Sequence, residues 1–134
     1  MYIKGLFLLF LCFTTLQVFA GSNDNVDTVG CWEAEIKEYN NLMTICINHE
    51  VGSISTHYSN ENTESEPTHC SQPAFIKKDG HASLLLEGLG GVCRNGNKQI
   101  ELTIRCTPSI ESTMNCELYT DYIKLSAKKL DNRK

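Results

Sequence analysis

A turn and an amphipathic strand follow one another in residues 94–106, which read RNGNKQIELTIRC. Asn95 and Gly96 both tolerate positive φ, and this pair favours the tight hairpins whose twist matches that of the flanking strands. After the turn, apolar residues alternate with polar ones over residues 100–105. A period of two predicts a strand with one face in the protein interior, here Ile100, Leu102 and Ile104, and the other face in water.

Similar segments recur along the chain. They are rich in β-branched and aromatic residues and are separated by turn residues at a spacing of roughly ten, which is typical of an antiparallel meander. Glycines at 88, 90 and 91 disfavour a helix after the apolar run at 84–86, because each costs about 1 kcal/mol in a helix interior. The predicted strands are 31–37, 42–48, 53–59, 67–70, 74–78, 82–87, 98–106 and 115–125.

The first twenty residues have the features of a secretory signal peptide. Lys4 precedes an apolar block from Leu6 to Leu11, and Ala20 and Gly21 supply the small residues of a cleavage site. The block is too short for a membrane anchor, so we expect a secreted, extracellular protein with no membrane segment after cleavage. The predicted organisation is a signal peptide (1–20), a flexible leader (21–28), a single β-barrel domain (29–127) and a basic C-terminal tail (128–134).

Composition narrows the function classes further. Without the signal peptide the chain has 11 basic and 16 acidic side chains, a balance that disfavours nucleic acid as a partner. Six cysteines remain, and in an oxidising compartment we expect them to form three disulfides. The count alone allows fifteen connectivities.

Nothing in the sequence points to catalysis or to a cofactor. The chain has no G-x-S-x-G or H-E-x-x-H motif, and acidic pairs such as Glu33 and Glu35 are typical of a solvated face. A metal site is not predicted, because no C-x-x-C or H-x₃-H spacing occurs and the cysteines are expected to be oxidised. The four histidines are His49, His57, His69 and His81.

Several short motifs resemble those of a known family of barrels. Gly30-Cys31-Trp32 resembles the G-x-W opening of the calycin barrels, the group that holds lipocalins, fatty-acid-binding proteins and avidins. Met43-Thr44-Ile45, followed by Gly52 and Tyr58, resembles the second avidin hairpin. The Q-P-x-F stretch at 72–75 resembles the entry to the fifth avidin strand, and the R-N-G at 94–96 resembles an avidin turn.

The resemblance implies an all-β, antiparallel up-and-down eight-stranded meander barrel, avidin-like and stapled by three disulfides. Its closed end is sealed by the indole of Trp32, and its open end leaves room for one small ligand. The chain departs from the avidin pattern by a longer connection before Met43 and a shorter one after Tyr58.

The resemblance also implies a set of ligand-binding residues at the open end: Asn41, Tyr58, Phe75 and His81. Tyr58 falls on the avidin tyrosine that donates to the ureido oxygen of biotin, and it is equally compatible with an ordinary strand tyrosine. Asn41, or Asn40, lies near an avidin serine that contacts the same oxygen; either is also suited to a hairpin turn. The avidin wall tryptophans fall at His81 and Ile104, and this loss is expected to weaken biotin binding by several orders of magnitude.

A disulfide pairing follows from the same comparison. Cys93 lies close to the avidin cysteine that bridges to the N-terminal strand, which suggests a bond to Cys31. The residues 106 and 116 face one another if a hairpin turns near Glu111. The predicted pairs are Cys31 with Cys93, Cys46 with Cys70, and Cys106 with Cys116.

The function predicted from these observations is binding rather than catalysis. The first hypothesis is a secreted avidin-like barrel whose biotin-like pocket is degenerate and takes another small molecule. The alternative is a secreted effector or inhibitor that binds an extracellular protein through the acidic 59–71 loop or the outer face of the barrel. Avidins form tetramers, and a homo-oligomer is possible here, although the tryptophan contributed by the adjacent avidin subunit has no clear counterpart.

Overall fold

A computed structural model describes residues 27–58, 68–80, 82–109 and 112–131. The predicted signal peptide, most of the leader and residues 132–134 lie outside the described residues. The strands are β1 (Gly30–Ile36), β2 (Asn41–Asn48), β3 (Val51–Tyr58), β4 (Thr68–Asp79), β5 (Ser83–Gly88), β6 (Gly91–Cys93), β7 (Lys98–Gln99), β8 (Thr103–Pro108), β9 (Thr113–Leu118) and β10 (Ile123–Lys129), with one 3₁₀ turn at Lys37–Tyr39.

Eight of these strands form a closed antiparallel barrel, which confirms the predicted fold class. Going round the barrel, the order is β1, β2, β3, β4, β5, β8, β9 and β10, and β10 pairs again with β1. The short strands β6 and β7 form a hairpin that pairs with β4 beside the end of β5. Each strand therefore neighbours the next along the chain, except where this small hairpin is inserted.

Three of the predicted strand assignments were wrong. The segment 98–106 contains β7 and part of β8, which residues 100–102 separate. The segments 67–70 and 74–78 belong to one long strand, β4. The segment 115–125 contains parts of two strands, β9 and β10, joined by a turn at 119–122. Pro73 lies inside β4 without breaking the barrel, because it lies between the part of β4 that pairs with β5 and the part that pairs with β6. No neighbouring strand needs a hydrogen bond from residue 73 at this position, so the lack of an N–H in proline is tolerated.

The side chain of Gln72 bridges the interruption between β5 and β6 and between β7 and β8. Its Oε1 accepts hydrogen bonds from the N–H of Gly90 (3.0 Å) and of Leu102 (3.2 Å), and its Nε2 donates to the carbonyl of Ile100 (3.0 Å). Gln72 is 1% exposed. One buried amide therefore forms hydrogen bonds with three backbone groups that have no partner in the regular strand pairing. These bonds lower the free-energy cost of burying an irregular segment.

Gly88 makes this arrangement possible. A Cβ at this position would collide with the Gln72 side chain and with the carbonyl oxygen of Leu102, which accepts a hydrogen bond from the Gly88 N–H (2.7 Å). Glycine is thus required here by a close approach of backbone and side chain rather than by a positive φ.

Trp32 fills the end of the barrel where β1 begins. Its side chain is fully buried, and its Nε1 donates to the carbonyl of Thr28 (3.0 Å). The ammonium of Lys129 lies 5.4 Å from the ring centroid and contacts the carboxylate of Asp27 (3.3 Å). Hydrogen bonds from Lys129 and from the backbone N–H of Val29 hold the pKa of Asp27 below its usual value.

These contacts tie the residues before β1 to the end of β10 at the base of the barrel. Lys128 and Lys129, which the sequence assigned to the tail, lie in β10 and pair with Glu33 and Trp32 of β1. The described part of the chain has no helix that is both long and apolar enough to cross a membrane.

All six cysteines that follow the predicted signal peptide are paired, and two of the three predicted pairs were wrong. The observed bonds are Cys31–Cys46, Cys70–Cys93 and Cys106–Cys116, so only the last was predicted correctly. Each bond joins residues directly opposite one another on neighbouring strands.

The burial pattern explains why the other two predictions failed. On β1 and β2 the residues next to Cys31 and Cys46 face inward, so both cysteines face outward. The strand register places them directly opposite each other. Cys70 and Cys93 are buried on the inner side. A bond from Cys46 to Cys70, or from Cys31 to Cys93, would have to join the two faces of the sheet.

We expect peptide mapping under non-reducing conditions to recover the three observed pairs. Replacing Cys70 and Cys93 together by alanine should lower the free energy of unfolding by about 3 kcal/mol, because the bond closes a loop in the unfolded chain. Chemical denaturation of the variant against the oxidised parent gives this value. A peptide that links Cys31 to Cys93 would contradict the pairing.

Candidate functional site

The end of the barrel opposite Trp32 contains a cavity of about 440 Å³, which we call the mouth cavity. It begins at Ile36, four residues after Trp32 and so about 13 Å further along β1. The residues that line it are Ile36, Tyr39, Asn41, Met43, Thr56, Tyr58, Gln99, Ile100, Leu102, Leu118, Thr120 and Asp121.

Two of the predicted ligand-binding residues lie together in the mouth cavity. Asn41 is the first residue of β2 and is buried, and it lies opposite Tyr58, the last residue of β3, in the strand register. Tyr58 is half-buried. The neighbouring Asn40 takes a left-handed conformation (φ 51°) after the 3₁₀ turn and is exposed. The structure therefore separates the two asparagines, with Asn40 in the turn and Asn41 at the cavity.

Two buried polar side chains in the mouth cavity have atoms without a hydrogen-bond partner among the described residues. They are the hydroxyl of Thr56, on β3, and both amide atoms of Gln99, on β7. Thr56 is 2% exposed and Gln99 is 9% exposed. A buried polar group left without a partner costs about 1–3 kcal/mol. A ligand that pairs with Thr56 and Gln99 would recover that free energy.

The remaining walls are mostly apolar. Ile36, Met43, Leu102 and Leu118 are all buried and give the cavity an apolar floor. At the rim, Tyr39 is 53% exposed. The cavity thus joins apolar surface to a few polar groups in fixed places, which is the usual composition of a small-molecule site.

Of the other two predicted ligand residues, Phe75 does not line the mouth cavity. Phe75 points outward on β4, is 51% exposed, and lies opposite Val51 near the other end of the barrel. The side-chain alternation of β4 places Ala74 and Ile76 inside, and Phe75 between them must face solvent. His81 lies outside the described residues. Ile104, the second avidin wall position, is fully buried in the core.

Sequence reasoning missed Gln99 because the strand register shifts between β7 and β8. The alternation of residues 100–105 predicts Ile100 inside, whereas Ile100 is 65% exposed and Gln99 is turned inward. From Leu102 onward the predicted inward face is correct. The register shift takes place in residues 100–102, where the side chain of Gln72 bonds to the backbone. No local pattern in the sequence predicts this shift.

A larger depression of about 750 Å³ lies on the outer faces of β1, β2 and β10. Its charged lining consists of three acidic and three basic side chains, Glu33, Glu35, Glu38, Lys37, Lys124 and Lys128. Because these charges alternate in sign and face water, they give little net field for a charged ligand and are strongly screened. We therefore place the candidate site in the smaller mouth cavity.

No family model, curated protein or solved structure matches this chain. Within the described ranges, no three histidine, cysteine, aspartate or glutamate side chains are grouped so that they could hold a metal ion. The geometry of the barrel and of its mouth cavity is therefore what indicates the function.

Proposed function

We propose that this chain is a secreted, non-enzymatic binding protein that takes a small ligand in the mouth cavity, and that it is a divergent relative of the avidins. The observation that carries the proposal is that two buried polar side chains, Thr56 and Gln99, have atoms without a hydrogen-bond partner among the described residues and line a cavity with an apolar floor. Three intramolecular disulfides are compatible with an extracellular protein.

The chemistry of the ligand follows from the hydrogen-bonding groups of Gln99 and Thr56. The amide of Gln99 has a donor and an acceptor side by side, and the hydroxyl of Thr56 can donate or accept a hydrogen bond. A ligand that presents an adjacent N–H and C=O, as amides and ureas do, satisfies Gln99 with two hydrogen bonds. Its apolar remainder would pack on the floor formed by Ile36, Met43, Leu102 and Leu118.

Biotin itself is expected to bind weakly. The only tryptophan of the chain, Trp32, lies at the base of the barrel, and the aromatic side chains at the mouth cavity are Tyr39 and Tyr58. Buried tryptophan walls contribute much of the binding free energy in sites of this kind, so their absence should cost several kcal/mol.

The test is a thermal-melt screen with biotin, cyclic ureas and lactams, compared between the parent protein and Gln99→Met. Methionine has a similar shape but carries no amide, so the variant should stabilise the ligand-free protein by about 1 kcal/mol because it removes a buried unpartnered group. The same change should abolish ligand-induced stabilisation, which depends on binding to the folded state.

Phe75→Ser is the matched control for this screen. Phe75 lies on the outer surface away from the mouth cavity, so a ligand that raises the melting temperature of the parent should raise that of Phe75→Ser equally. A ligand that stabilises Gln99→Met as much as the parent protein binds elsewhere and would overturn the proposed site.

A second candidate function rests on the outer surface. Val51 and Phe75 lie directly opposite one another on β3 and β4, and both are about half exposed at 52% and 51%. Phe75 borders the charged side chains of Lys77 and Lys78, so a protein partner that covered this surface would bury apolar area within a charged rim. This function would be favoured if the parent, but not Phe75→Ser, captured an extracellular protein and if no small ligand raised the melting temperature of the parent.

A further inference from the structure

Two histidines lie side by side on the outer face of the barrel. His57 on β3 is directly opposite His69 on β4 in the strand register. The Nδ1 atom of His69 is 3.1 Å from Nε2 of His57 and 3.4 Å from its Nδ1, and the ring centroids are 4.2 Å apart. The two histidines are twelve positions apart in sequence, and the pairing of β3 with β4 brings them into contact.

The geometry points to a binding site for a divalent transition-metal ion at His57 and His69. Metal–nitrogen bonds of about 2.0–2.1 Å place two imidazole nitrogens about 2.9 Å apart in a square-planar site and about 3.3 Å apart in a tetrahedral one. The observed separation of 3.1 Å lies between these values. A metal ion can therefore replace the proton that the two rings share, with small rotations of the side chains.

Binding a metal ion requires a free lone pair on the facing nitrogen of each ring. A neutral imidazole binds metal through one nitrogen and carries its proton on the other, so a shift of tautomer frees the bridging lone pairs.

The site is open, because the described residues supply no third ligand of the histidine, cysteine or carboxylate type. Water or another donor group would complete the coordination. Imidazole ligands favour Cu²⁺, Ni²⁺ and Zn²⁺ over Mg²⁺ and Ca²⁺, and Cu²⁺ is bound most tightly among the first three. The pairing of β3 with β4 fixes the backbones of both histidines, so only their side chains have to be ordered on binding.

The test is calorimetric titration of the disulfide-bonded protein with Cu²⁺, Ni²⁺ and Zn²⁺, repeated with His57→Gln and His69→Gln. We expect one Cu²⁺ ion per chain and weaker binding of the other two. Either substitution should weaken the apparent affinity about tenfold or more, since it removes one of two protein ligands. The electron paramagnetic resonance spectrum of the Cu²⁺ complex should show coupling to two imidazole nitrogens in the parent and to one in each variant.

His49→Asn is the control. His49 is exposed in the turn between β2 and β3, away from the pair, and its positive φ of 57° is well tolerated by asparagine. Its affinity for Cu²⁺ should equal that of the parent. Thermal melts without metal verify that all three variants fold. An absence of binding to the parent, or binding that survives both His57→Gln and His69→Gln, would overturn the inference, and neither result bears on the mouth cavity.

Discussion

Replacing Gln72 by methionine should destabilise the protein by about 4 kcal/mol, although the side-chain volume hardly changes. The substitution leaves the N–H groups of Gly90 and Leu102 and the carbonyl of Ile100 without their partner. Each buried group left unpaired costs about 1–3 kcal/mol, with the lower values for partly buried groups. Such a loss is a large fraction of the 5–15 kcal/mol that stabilises a typical domain, so the variant should be close to unfolding under mild conditions.

The measurement is chemical denaturation followed by far-ultraviolet circular dichroism, with Gln99→Met as the matched control. Both glutamines are buried, but both amide atoms of Gln99 have no partner among the described residues. The same chemical change should therefore be destabilising at position 72 and neutral or stabilising at position 99. Equal losses at the two positions would show that volume and shape, rather than hydrogen bonding, determine the effect.

The contrast between these glutamines also explains what the sequence could and could not predict. The barrel follows from short segments of alternating polarity and from the turn signals between them, since that pattern fits only strands with one buried face. The Cys106–Cys116 bond was predictable because both cysteines sit in one hairpin. The burial of Gln72 and Gln99 could not be predicted, because it depends on the place where strands β5 to β8 depart from the regular hydrogen-bond ladder.

Errors in the predicted site have the same physical origin. Tyr58 and Asn41 lie together because β2 and β3 form a regular hairpin, in which the register determines which residues face each other. Phe75 was misplaced by a motif comparison that did not consider which face of β4 it occupies. The contact between His57 and His69 arises from strand pairing across a connection of undescribed residues, and no spacing rule in the sequence encodes it.

Replacing Trp32 by alanine should have an effect of similar size at the other end of the barrel, about 4 kcal/mol. The side chain is fully buried, and its loss leaves a large cavity among core side chains that the closed sheet cannot collapse to fill. It also removes the hydrogen bond to the carbonyl of Thr28 and the ring beneath the Lys129 ammonium. The N-terminal connection and the last strand are thereby loosened together.

The measurement is a urea titration followed by circular dichroism, because the substitution removes the only tryptophan fluorophore. Tyr122→Asn is the control: Tyr122 is 76% exposed with a positive φ of 54°, which asparagine accepts, so its removal should change the free energy of unfolding by less than about 0.5 kcal/mol. Trp32→Phe should fall between the two, since phenylalanine refills most of the volume but cannot donate to Thr28. If Trp32→Ala were no less stable than Trp32→Phe, the indole would not be packed among the core side chains at the base of the barrel.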